Sequence, residues 1–143
     1  MRIQIVTYLF VIALYTLSDL HAQPGPLVEK GVLDLRDYDF IANCPLEIKG
    51  EFEFYWNQML SPSLEKDQGE MIYAKVPGSW TQLRKEHPEV SRYGFATYRV
   101  VILLPERVED LAFSIKDVYS ASGFFLNGKA VDYLGFPGVN KYQ

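Results

Sequence analysis

Two carboxylates two positions apart are the first residues in this sequence that could do chemistry. Glu51 and Glu53 lie in the run Leu46-Glu47-Ile48-Lys49-Gly50-Glu51-Phe52-Glu53-Phe54-Tyr55-Trp56. On a strand, residues i and i+2 share a face at about 7 Å. Glycosidases hold a carboxylate pair at comparable distances, but across a cleft and from different elements. Here Glu47, Lys49, Glu51 and Glu53 read as one solvated strand face, and catalysis is not expected of them. Histidine and cysteine add little. The histidines are His21 and His87, and Cys44 is the one cysteine. Once the expected signal at 1–22 is removed, one histidine with one thiol cannot supply a zinc site. Ser79 stands in no nucleophile elbow, and His87 precedes a proline in a charged loop. Gly135-Phe136-Pro137-Gly138 reads as a turn, not a phosphate loop. Asp37 and Asp39 lie near a turn without a liganding motif. The expectation is a non-enzyme with no catalytic residues, no metal and no cofactor.

Binding chemistry is better provided for. Trp56, Trp80, Tyr93 and Tyr98 carry flat rings of the kind that stack on sugars or aromatic ligands. Trp56 and Tyr98 fall on or beside strands and read first as core residues. Trp80 and Tyr93 flank a loop, where recognition usually sits on a rigid scaffold. Arg99 is a charge on an otherwise apolar strand, so it must meet a carboxylate, carbonyl groups or a ligand. The candidate ligand-binding residues are therefore Trp80, Tyr93, Arg99 and Trp56.

These side chains need elements to position them. Leu46, Ile48, Phe52 and Phe54 alternate with charged residues, which is a strand's period of two. Gly50 falls on the apolar face, where another backbone can approach closely or a bulge can sit. Ala96 to Leu104 forms a second strand, apolar on both faces toward its end and so expected to be central. Shorter strands are expected at Gly31–Leu35, Met71–Val76 and Leu111–Ile115. Ala121–Leu126 and Lys129–Leu134 flank Asn127-Gly128, a strong hairpin signal. Pro77-Gly78 marks a turn, Ser79 can cap a helical turn through Lys85, and His87-Pro88 ends it. About seven strands without a long helix predict an all-β sandwich.

Composition sets the bounds. The chain has 143 residues, 48% hydrophobic and 15% aromatic, enough for one domain with a core. Its net charge of −4, without a basic run, argues against nucleic acid as a partner. Arg2 followed by an apolar run from Ile5 to Leu17 reads as an export signal, too short to span a bilayer, with cleavage after Ala22. The expected organisation is a signal at 1–22, a linker at 23–30 and a sandwich at 31–143. The last residues read as a loop, so one or two closing strands are expected to be missing. A single thiol in an exported chain leaves stability to packing, and Cys44 is expected to be buried.

Three landmarks then occur in order. They are Gly50-Glu51-Phe52-Glu53-Phe54-Tyr55-Trp56-Asn57-Gln58-Met59-Leu60-Ser61-Pro62, Val76-Pro77-Gly78-Ser79-Trp80, and Tyr93-Gly94-Phe95-Ala96-Thr97-Tyr98-Arg99 with Leu126-Asn127-Gly128-Lys129. Together they resemble the extracytoplasmic galactose-binding-like (jelly-roll) domains of bacterial seven-transmembrane receptors with diverse intracellular signalling domains. The later landmarks are also similar to the sugar-binding sandwich of family 2 glycoside hydrolases. The resemblance covers roughly residues 31–139. It implies a jelly-roll sensory domain on the outer side of a bacterial membrane. Its expected partners are a small-molecule or carbohydrate ligand and the membrane-embedded remainder of a parent protein. The alternative it implies is the non-catalytic sandwich of a secreted hydrolase.

Overall fold

A computed structural model describes residues 25–60, 70–108, 110–116, 118 and 121–135. The expected export signal at 1–22, residues 61–69 and the last eight residues lie outside the described residues. Among the described residues, seven strands and one short 3-10 helix give an all-β architecture. The strands are β1 (Val32–Asp34), β2 (Gly50–Trp56), β3 (Ile72–Val76), β4 (Ala96–Arg99), β5 (Val101–Leu103), β6 (Ser122–Leu126) and β7 (Lys129–Leu134). The helix, Trp80–Lys85, follows β3. Ser79 caps it as expected: its side chain accepts from the Thr81 amide at 3.3 Å.

β2 is the centre of a three-stranded antiparallel sheet ordered β3-β2-β4. Gly50 shows why glycine stands where the apolar face needs a side chain. Its φ is +133°, and an added Cβ would lie 2.6 Å from the Val28 amide nitrogen. The Val28 amide donates to the Lys49 carbonyl at 2.8 Å, and the Glu51 amide donates to the Val28 carbonyl at 2.8 Å. The close backbone approach expected at this position is present.

That contact also moves the domain boundary. Val28 is 1% exposed and joins Leu33 and Leu35 in a core cluster. The expected linker therefore ends earlier, and the fold starts before Gly31. A tight turn joins Val28 to β1: Glu29 and Val32 exchange backbone hydrogen bonds at 2.8 and 3.0 Å. Lys30 and Gly31 sit there at φ +47° and +80°, the conformation of a type I′ turn.

Four expectations are corrected. Residues 46–49 precede β2 without strand structure, although Leu46 and Ile48 still pack on the Val28 cluster. The run from Ala96 is not one central strand. It changes partner at Val100: β4 pairs with β2 at the edge of its described sheet, and β5 pairs in parallel with β1. Leu111–Ile115 is not a strand; Leu111, Phe113 and Ile115 are 40–55% exposed. Cys44, expected to be buried, is exposed.

A second cluster is built from Phe54, Ala74 and Val90, with Trp56, Trp80, Leu83 and Ala96 packed against it. The hairpin β6–β7 forms as its Asn-Gly signal predicts, with Asn127 at φ +48° and Gly128 at +79°.

Candidate functional site

Strand alternation on β2 sorts the candidate residues before any contact is considered. Phe54 and Trp56 point to one face, Glu53 and Tyr55 to the other. The register of β4 extends both sets, because Phe54 faces Tyr98, Trp56 faces Ala96 and Glu53 faces Arg99. The four candidates therefore do not converge. Trp56 and Trp80 meet on the Phe54 face, and Arg99 lies on the opposite face of the same sheet.

On the Phe54 face the rings form a continuous aromatic corner. Phe54 and Trp56 are near-parallel with centroids 6.1 Å apart, and Trp56 meets Trp80 edge-on at 5.7 Å. Tyr98 meets Phe54 edge-on at 5.0 Å. Burial pushes the pKa of the Tyr98 hydroxyl up to about 12. The loop before β4 closes on the corner from outside. A Cβ at Gly94 would stand 2.7 Å from the Trp56 Cζ2, so only glycine lets this backbone lie against the indole. Tyr93, one residue earlier, is 81% exposed. Trp56 and Trp80 are half-buried. Rings that anchor on a core and stay partly open have the form of a stacking platform.

On the other face, Arg99 meets the carboxylate its sequence position required. Its Nε donates to Glu53 Oε2 at 2.6 Å and its Nη2 to Oε1 at 3.3 Å. The Tyr55 hydroxyl donates to the same Oε2 at 2.9 Å. The hydrogen bond to Glu53 raises the Arg99 pKa further. Burial, then the bond to Glu53, raises that of Tyr55. Glu53 does not belong to a solvated face as expected: its side chain is 12% exposed. With both nitrogens on Glu53, this arginine ties β4 to β2.

Two further groups hold the corner in place, and neither stands out in the sequence. Thr97 Oγ1 donates to the Gln58 carbonyl at 2.7 Å and accepts from the Leu60 amide at 3.1 Å, which fixes the chain leaving Trp56. The Gln58 side chain donates to the Glu70 carbonyl at 3.2 Å. The Gly94 signal was present in the sequence, as a glycine just before a strand, but its target ring was not. An open cleft of about 810 Å³ lies elsewhere, between the N-terminal segment and β2–β3, among Val28, Lys30, Lys49, Glu51 and Lys75. None of the four candidates lines it. Among the described residues no cluster of His, Cys, Asp and Glu has metal-site geometry. Comparison with family models, with curated proteins and with solved structures finds no match for this chain.

Proposed function

We propose that this chain is an extracytoplasmic ligand-binding sensory domain of a bacterial membrane signal-transduction receptor, with a carbohydrate as the ligand class that fits best. In this reading the strands belong to a galactose-binding-like jelly roll, exported by the segment at 1–22. The domain does no chemistry itself. Ligand binding biases the membrane-embedded remainder of the parent protein between two states, by as much as the ligand prefers one of them.

The observation that carries the reading is the Trp56–Trp80 pair, rooted in the Phe54 cluster and flanked by exposed Tyr93. Partly open indoles on a rigid sheet provide flat apolar area at little conformational cost. The alternative, a non-catalytic sandwich of a secreted glycoside hydrolase, shares the Val76–Trp80 landmark, whose Ser79 cap positions Trp80. A glycan array probed with the folded chain, and with Trp80→Ala and Tyr93→Ala, tests the binding reading. Retained binding in both variants would remove the corner as the site; binding to no glycan would remove the carbohydrate. The reading frame downstream of Gln143 separates the two parents. Apolar spans of about 20 residues support the receptor, and a long strand–helix alternation supports the hydrolase.

A further inference from the structure

Within the proposed binding role, we infer that the aromatic corner selects acidic saccharides, with Arg92 and Tyr93 as the discriminating pair. The segment Ser91–Gly94 is a braced turn. The Tyr93 amide donates to Ser91 Oγ at 3.2 Å, and Ser91 Oγ donates back to the Tyr93 carbonyl. Gly94 seats the turn against the Trp56 indole. Folding therefore uses Ser91 and Gly94, while Tyr93 projects outward with 81% of its surface open.

Arg92 stands over the Tyr93 ring, its guanidinium carbon 5.7 Å from the centroid. Such a cation–π contact orients the guanidinium without using up its hydrogen-bond donors. Among the described residues Arg92 makes no salt bridge, whereas Arg36 and Arg99 are each bound to a carboxylate. The pair thus offers a flat apolar ring with an oriented cation fork that no described carboxylate occupies. A sugar ring bearing a carboxylate presents the complementary pair, an apolar face to stack and an anion for a bidentate charge-assisted bond. A neutral sugar satisfies only the ring.

The test titrates the folded chain by calorimetry with a tri-uronate oligosaccharide, its neutral hexose counterpart and acetate. The uronate is expected to bind about tenfold or more tighter than the neutral sugar, the scale of one charge-assisted contact. Added salt should narrow that gap. Arg92→Gln should erase the preference and leave thermal stability unchanged, since Arg92 is exposed. Tyr93→Ala should weaken both sugars. Equal affinity for the two sugars overturns the acidic preference and leaves the carbohydrate reading standing. No binding of either sugar overturns both. Acetate binding as tightly as the uronate overturns the role of the ring, and an Arg92→Gln variant that keeps the preference overturns the role of the guanidinium.

Discussion

From Val28 to Leu103 every strand delivers a side chain to a core cluster; from Leu104 to Gly135 no described residue is buried. The local code is as clear in the second region as in the first. Phe125 and Tyr133 meet edge-on at 5.9 Å across the β6–β7 hairpin, and the Asn127-Gly128 turn closes it. Yet Phe125, Val131, Tyr133 and Leu134 are 47–65% exposed. An isolated two-stranded hairpin is marginal in water. The difference lies in what each strand can be laid against. β2 has strands on both sides and two clusters beneath it, and among the described residues the hairpin has only itself.

The largest expected contrast comes from removing one ring in each region. Phe54→Ala should cost about 3–5 kcal/mol, the range for a fully buried phenylalanine. Phe125→Ala should stay within about 0.5 kcal/mol, as exposed sites do. Urea unfolding of both variants measures the difference, and equal losses would break the contrast. Gly50→Ala comes next. Its positive φ alone predicts a loss of roughly 1–3 kcal/mol, and the Val28 backbone adds a clash; an unchanged midpoint would show that Val28 is not seated on β2.

Glu53→Gln should fall between two limits, roughly 0–1 kcal/mol for exposed ion pairs and roughly 3–5 kcal/mol for buried ones. The same assay reads it, with Arg99→Ala as the matching half of a double-mutant cycle. Tyr98→Phe sharpens the comparison by pH. The folded pKa of Tyr98 is raised to about 12 from an ordinary 10.0, so its contribution is intact below pH 10 and is lost as pH climbs toward 12. The variant should lose less stability than the parent over that window, and its tyrosinate absorbance should show one late-ionising ring fewer than the parent's. The smallest effect belongs to Asp34, whose bonds from the exposed Arg36 hold its pKa at about 2. That contribution is present above pH 3.8 and lost as pH falls through 2. Arg36→Ala should move the Asp34 titration back up, followed by NMR, with little change in melting temperature because the pair is screened by water.

Much of the fold was legible because it depends on near neighbours. Alternation marked β2, β3 and the hairpin strands, Asn127-Gly128 marked their turn, and Ser79 marked the start of the helix. Gly50 announced a close backbone or a bulge, but not which of the two nor whose backbone. Local pattern failed where a long-range partner decided. Leu111–Ile115 alternates as well as β3 does, but pairs with no described strand. Ala96–Leu103 reads as one strand, but its ladder passes from β2 to β1 at Val100.

The candidate site divides in the same way. Residue types alone pointed to Trp56, Trp80, Tyr93 and Arg99, because large rings and a lone charge are conspicuous wherever they fall. Pairing register then placed Arg99 on the opposite sheet face from the tryptophans and gave it Glu53. The sequence by itself determined the strand periods, the turn positions and the absence of a metal-ligand pattern, since each is set by covalent geometry and adjacent residues. Only the tertiary structure decided that Val28 fills the space above Gly50, that Gly94 lies on Trp56 and that no described residue gives the hairpin a core. Those outcomes turn on which distant segments meet, and no period of two or 3.6 encodes that choice.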